Sequence, residues 1–499
     1  MQKYDVVIIG SGLGGLLCGY MLGKEGLSVC IVEKNKQLGG CLQVFERNGS
    51  IFDTGVHYIG SLDKGQILNR YFTYFGLTDK LKMKKLEADS FDRIGFKDDE
   101  NGYPFAQGHQ HFIDTLLPYF PKEKQGLTRY INKMKEIAQA FPLNNLRYSE
   151  ENEMDLRYFK ENTRDFLRSI TSDKKLQNVL AGGNFLYGGD AVSAPLYVHA
   201  LISNSFIESA WRPVDGSAQI AKILALGIIS QGGTFCNNCK AQKFIFKEGA
   251  LKYIQLSDNE LIEGKYFISD IHPARTLQML DTPLIRKTYR ERLMTLDNSL
   301  STFILYIKLK KNSFSQMNHN FYYFNDTDVW KAAKYQTNEW PSQYMLLTPD
   351  HSVSDDFADT MIIMSYMRFD EVKRWENTSV GQRGLDYLNF KQEKAELLLD
   401  LVSQKFPEIR KHILSYYTST PLTLRDYTGS SEGSMFGILR QSDDPYRTRI
   451  FARTHISNLF FTGQNTVMHG ILGVTIGSVA TCGEITGLKY LIEKINQCQ

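Results

Sequence analysis

Several features that would assign this chain to a class at once are missing from its 499 residues. No uninterrupted apolar stretch reaches the roughly 18 residues that a membrane-crossing helix needs. No dense Lys/Arg tract interleaved with aromatics is present, and 58 basic against 55 acidic side chains leave a net charge of only +3, so nucleic-acid binding has little support and no nucleic-acid partner is expected. Strand-like sequence begins at about Tyr4, which leaves no room for a charged n-region and an apolar leader. The expectation is therefore a cytoplasmic protein starting at Met1, with any membrane contact peripheral and on the inner face. Cysteines number seven, an odd count. Cys18 and Cys30 fall where core residues belong, so the set reads as reduced, buried thiols. Cys236-Asn-Asn-Cys239 has redox or zinc spacing, yet no second pair or neighbouring His ligands accompany it, and a plain strand with no metal site is expected.

What is present is concentrated in the first 33 residues. Val6, Val7, Ile8 and Ile9 make the short apolar run of a strand buried on both faces, which breaks at Gly10. Gly10, Gly12 and Gly15 then fit G-x-G-x-x-G. The first allows a tight turn, the second removes the Cβ that would obstruct a pyrophosphate, and the third lets the next helix lie close to the strand. That helix, roughly 14–26, opens with Leu13 and Gly14 and aims its unpaired amides at the phosphates. A second strand over 28–32 ends at Glu33, 18 residues beyond Gly15, where a carboxylate can accept both hydroxyls of a ribose, with Lys34 beside it. The register of strand, turn, helix, strand and terminal acid specifies a dinucleotide site.

The stretch after Glu33 bears on which dinucleotide. Gly39 and Gly40 follow the acid directly, and Phe52-Asp53-Thr54-Gly55 lies close behind, a glycine-rich loop able to pass under a large flat ring. VEKNKQLGGCLQVFERNGSIFDTGVHYIG resembles the flavin-binding opening of the phytoene desaturase, carotenoid isomerase and all-trans-retinol saturase superfamily, and is most similar to the retinol saturase-like branch through the run from Asp53 to Gly60. The closing segment resembles the same branch, with Thr462-Gly463-Gln464-Asn465 ending a last strand and His469-Gly470-Ile471 opening a small-residue helix. Amine oxidases of the superfamily usually carry an acid where Gln464 stands.

The resemblance implies FAD, with Gly39, Gly40, Asp53, Thr54, Gly55, Gly463, Gln464, Asn465, Gly470 and Ile471 near the ring. It also implies an α/β fold: a Rossmann-type FAD-binding domain, glutathione reductase/amine oxidase-like, built from 1–60, 205–280 and 421–499, with an inserted α+β substrate-binding domain from 61–204 and 281–420. The implied activity is hydride transfer between flavin and a carbon of a long apolar polyene or isoprenoid lipid, giving saturation, desaturation or isomerisation. His57, Tyr58 and His469 are the candidates for moving the accompanying proton. A flavin amine oxidase, or a non-enzymatic prenyl-lipid escort of the same fold, are the alternatives.

Four further expectations concern the intervening segments. Leu127, Tyr130, Ile131, Met134, Ile137, Ala138 and Phe141 recur at helical spacing, either as a face that dips into lipid to collect substrate or as a helix packed on its own domain. Asp215-Gly216-Ser217 departs from the family's Gly-Gly-Ser-like turn, and its carboxylate is expected to cap the following helix. Ser301 to Leu309 and Thr360 to Met367 read as strands, with Asn320 to Phe324 in a loop between them. Past residue 60 no second G-x-G-x-x-G occurs, since the glycine pair in Gly227 to Gly233 follows a helix instead of opening one. The electron donor or acceptor is thus unidentified and is expected to hold no fixed nicotinamide domain here.

Overall fold

Two seven-stranded sheets, fed by repeated returns of the chain, divide the work of this fold. The computed structural model describes residues 2–97, 99, 101–149, 156–351 and 356–498. In the first sheet β1 (Gln2–Ile9) pairs in parallel with β2 (Val29–Glu33) on one side and Leu261–Ser269 on the other, and β2 pairs in parallel with Thr234–Asn237. The final strand Leu459–Phe461 adds in parallel beside Leu261–Ser269. Val6, Val7 and Ile8 are fully buried, as a strand covered on both faces requires. Helix α1 (Leu13–Lys24) packs between Ala218–Ser230 and Gly470–Thr486, where its glycines allow close approach. The architecture is α/β, with a Rossmann-type dinucleotide domain of the glutathione reductase/amine oxidase kind and an inserted α+β unit.

That inserted unit centres on the second sheet. Ser301–Leu309 and Thr360–Met367 pair antiparallel, Ser301 opposite Met367, as the second and third strands from the edge formed by Ile413–Ser419. Asn320–Phe324, expected as a loop, is instead a fully buried strand, parallel to Asp92–Phe96 and antiparallel to Gln343–Leu347. Its aromatic run Phe321-Tyr322-Tyr323-Phe324 has no alternation because both faces are covered.

The helix Lys124–Ala140 bears out the packed alternative and not lipid uptake. Its apolar side, Leu127, Tyr130, Ile131, Met134 and Ile137, is at most 3% exposed and packs on Leu196–Glu208, so the face proposed to enter lipid is core. Ile131→Asp would therefore place an unpaired carboxylate in that core. It is expected to cost about 3–5 kcal/mol of stability, read from denaturant midpoints, and an unchanged midpoint would contradict this packing.

Candidate functional site

The glycine turn after β1 is built around contacts that leave no space for side chains. Gly10 has φ +100°, a conformation glycine adopts without penalty, and a Cβ on Gly15 would overlap the carbonyl oxygen of Gly10. Gly12 is extended, with φ −61° and ψ 176°, and caps α1 with no side-chain hydrogen bond. Here space is the constraint: a Cβ on Gly12 would stand 2.5 Å from Oδ2 of Asp270. Asp270 follows the strand Leu261–Ser269, its N–H donating to the Ile9 carbonyl at 2.9 Å. Burial pushes its carboxyl up to about 7; the amides of Gly15 and Gly12 pull the other way and the charge of Glu33 adds to the rise. Sequence reasoning passed over Asp270, although an acid at the carboxyl end of a parallel strand stands where ligands of such sheets bind.

An ionised Asp270 adds like charge beside any pyrophosphate held on this turn. Dinucleotide affinity is thus expected to fall as pH rises through about 7, by up to about tenfold per unit. Asp270→Asn should flatten that dependence, and equilibrium FAD titrations at pH 6, 7 and 8 would check it. Parallel slopes in the two proteins would contradict the assignment.

Glu33 lies buried at the tip of β2. Its Oε2 accepts from the Ser11 N–H at 2.9 Å and the Ser11 hydroxyl at 2.7 Å, and its Oε1 from the Asn35 N–H at 2.8 Å. Lys34 turns away from the turn: its Nζ donates to the Asp426 carbonyl at 2.8 Å, while Asn35 Nδ2 donates to the Tyr427 carbonyl at 2.9 Å. Together they fasten the helix Pro421–Thr428 over the end of β2.

From Gly12, Leu13 and Gly14 a cavity of about 320 Å³ runs past Gly39–Leu42 and Thr54–Gly60 to Gly463–Asn465 and Met468–Val474. Gly39 bridges Gly12, and a Cβ on Gly40 would lie 3.2 Å from the Gly12 Cα. The hairpin of Val44–Arg47 and Ser50–Asp53, turned by Asn48 and Gly49 at positive φ, delivers Thr54 and Gly55 to the wall. Asp53 is not among the lining residues. Its Oδ1 accepts from the Ser217 N–H and hydroxyl, both at 2.7 Å, and burial pushes its carboxyl up to about 6. The carboxylate at the start of Ala218–Ser230 is therefore that of Asp53, where the sequence suggested Asp215; Asp215 has φ +61° in the preceding turn and donates its N–H to the Asp350 carbonyl at 3.0 Å.

At the other end Gln464 and Asn465 both line the cavity, and the Asn465 side chain accepts from the Ile438 N–H at 2.9 Å. Buried Arg440 grips the carbonyls of Asn465 and Thr466 at 2.6 and 2.7 Å, which fixes the turn. Gly470 and Ile471 open the helix Gly470–Thr486, whose cap His469 makes no side-chain cap bond, so the first amides stay available to negative charge.

The three proton candidates differ sharply in their surroundings. His57 lines the cavity, buried, with neither ring nitrogen hydrogen-bonded, and burial, helped by the charge of Arg212, lowers its pKa to about 4. Tyr58 stacks on Phe206 at 4.3 Å, but its hydroxyl donates to Asp92 Oδ2 at 3.0 Å and shares a 2.7 Å bond with the Tyr322 hydroxyl. His469 bonds the Leu186 carbonyl through Nε2 at 2.9 Å and lies against Phe436. Among the described residues no cluster of His, Cys, Asp and Glu could hold a metal.

Comparison with known proteins gives this geometry its context. A family model described as an NAD(P)-binding Rossmann-like domain matches residues 8–75. All-trans-retinol 13,14-reductase of Rattus norvegicus is 26% identical over 96% of this chain and 85% of its own. Prolycopene isomerase 1 of an Oncidium hybrid cultivar is 23% identical, covering 99% of this chain and 85% of that protein. Similarity of this kind over nearly the whole chain supports the FAD-dependent retinol saturase and carotenoid isomerase superfamily. Cyclohexylamine oxidase of Brevibacterium oxydans shares its fold, with a TM-score of 0.63 at 15% identity over 98% of this chain and 99% of that one.

Those relatives and the Rossmann-like match mark the protein as an oxidoreductase whose cofactor is FAD. The residues present fit that group. Glycines stand wherever a Cβ would close the turn, the amides opening α1 lack a side-chain cap, and buried Asp270 Oδ2 and His57 lack hydrogen-bond partners. Among the described residues no helix is long and apolar enough to cross a membrane.

Proposed function

We propose that this protein moves hydride between FAD and a carbon of a long apolar polyene or isoprenoid lipid, with a proton exchanged at a neighbouring carbon. The relatives named for retinol reduction and prolycopene isomerisation support the substrate class. The observation that carries the reading is the wall beyond His57. Phe185, Leu201, Phe206, Ile304, Met345 and Met364 line it, and Asp270, back at the glycine turn, is the sole carboxylate among the described lining residues. Such a wall takes up hydrocarbon and excludes water, and it offers a cationic amine no counter-charge.

FAD, when bound, supplies the two-electron chemistry. We assign Gly10, Gly12, Leu13, Gly14, Gly15 and Glu33 to its pyrophosphate and adenosine end, and Gly39, Gly40, Thr54, Gly55, Gly463, Gln464, Gly470 and Ile471 to its ring end. His57 faces the substrate as proton carrier, and Tyr58, held by Asp92 and Tyr322, buttresses it. Residues 1–60, 205–280 and 421–499 act as the cofactor domain, with 61–204 and 281–420 as the cap. The electron partner is a separate reductase, a quinone, oxygen, or a dinucleotide that visits transiently.

The test is to photoreduce the flavin without oxygen, then add polyenes, retinoids and unsaturated lipids and follow the return of oxidised-flavin absorbance. A polyene should reoxidise the flavin, itself gaining the hydride and a proton, or isomerise, at stoichiometric enzyme. Peroxide production from amines, with no polyene reacting, would transfer the assignment to the amine oxidases.

A further inference from the structure

The cysteine pair whose spacing suggested redox chemistry is joined. Cys236 and Cys239 form a disulfide, with their Cα atoms 5.6 Å apart, which corrects the expectation of a plain strand with reduced thiols. Both are half-buried, while Asn237 and Asn238 between them are exposed, so the bond lies at the surface within reach of another thiol. The other five cysteines are free, and Cys18, Cys30 and Cys482 are buried.

Its position gives the bond a consequence. Asn237 stands opposite Glu33 in the parallel pairing of Thr234–Asn237 with β2. Beyond it, the Cys239 N–H donates to the Glu33 carbonyl at 2.8 Å and the Asn238 N–H to the Asn35 carbonyl at 3.2 Å. Asn238 has φ +58°, a left-handed conformation that asparagine tolerates better than most residues. The disulfide thus closes a four-residue ring that clasps the backbone on both sides of Lys34 and fixes the segment presenting the Glu33 carboxylate.

We propose that Cys236–Cys239 is a reducible site for dithiol reductants, and that opening it loosens the adenosine end of the FAD site. A thiolate of the reductant attacks one sulfur to give a mixed disulfide, and its second thiol then resolves that bond. The S–S bond takes up two electrons and two protons to become two thiols, and the dithiol becomes a disulfide. No electron reaches the flavin by this route. Once opened, the ring must order itself each time FAD binds. The loop-closure entropy of so short a ring limits the loss of affinity to about twentyfold. The inference rests on FAD binding at Glu33 and is independent of the lipid substrate.

The experiment equilibrates the full chain in buffers of oxidised and reduced dithiothreitol, traps thiols by alkylation, and locates them by mass spectrometry. FAD dissociation constants are then measured on deflavinated protein in oxidised and reduced form and on the double variant C236S/C239S. Cys236 and Cys239 should become alkylated together as one two-electron couple. FAD should bind about three- to twentyfold more weakly to the reduced protein. The double variant should resemble the reduced form and ignore dithiothreitol. Equal affinities in oxidised and reduced wild type, or Cys236 and Cys239 alkylated without reductant at every poise, would overturn the proposal even if the double variant folded poorly.

Discussion

Replacing Gly12 with valine is expected to give a folded protein that keeps almost no FAD. Valine is compatible with the extended backbone at this position, so the fold has no reason to fail through φ and ψ. What the side chain meets is the Asp270 carboxylate, at the turn whose amides open α1. Those amides are the donors for a pyrophosphate, and charge-assisted hydrogen bonds of this kind contribute about 1.5–3 kcal/mol each. Losing two of them would weaken FAD binding by at least about a hundredfold. Gly183→Ala is the control, because a Cβ there has nothing within 4 Å. The flavin-to-protein absorbance ratio and the thermal midpoint should separate the two variants. Gly12→Val purified with one FAD per chain would mean that the dinucleotide does not lie on this turn.

That turn was legible in the sequence because its information is local. A strand, a glycine spacing, a helix and an acid lie within 33 residues, each announced by a short-range periodicity. The same holds for Ser301–Leu309 and Thr360–Met367, whose apolar runs end where the strands end. What escaped depends on partners distant in the chain. Asp53 looked like a flavin contact, and its partner Ser217 is 164 residues away. The stripe from Leu127 to Phe141 was correctly periodic, but periodicity cannot say whether lipid or Leu196–Glu208 covers it. Asp270 carries no motif, and its importance appears only where the first sheet brings it over Gly12. Asn320–Phe324 misled because a run of aromatics after polar residues resembles a loop until both of its faces are found covered.

The second large effect concerns His57 and pH. With its pKa lowered to about 4, mainly by burial, the imidazole is neutral at pH 7 and its protonated fraction falls tenfold for each unit above 4. If His57 delivers the proton during reduction of a carbon-carbon double bond, the single-turnover rate should rise about tenfold per unit as pH falls from 7 to 5, and level off near 4. In the opposite direction a neutral imidazole accepts the proton, and the rate should be flat above about pH 5. The sign of the profile therefore reports the direction of catalysis. His57→Gln keeps hydrogen-bonding capacity but cannot titrate. It should slow proton-coupled turnover by about 10²–10⁴-fold and abolish the slope. Folding provides a readout free of substrate. Between pH 6.5 and 4 the unfolded chain binds a proton at His57 that the folded chain refuses, so this residue makes stability rise with pH across that window. His57→Gln should remove that contribution from the denaturant midpoints, and Tyr58→Phe should not. A rate profile identical in wild type and His57→Gln would shift the proton to another group in the cavity wall, with His469 next to be tested because its pKa is also lowered to about 4 and its ring lies beside the opening of the final helix.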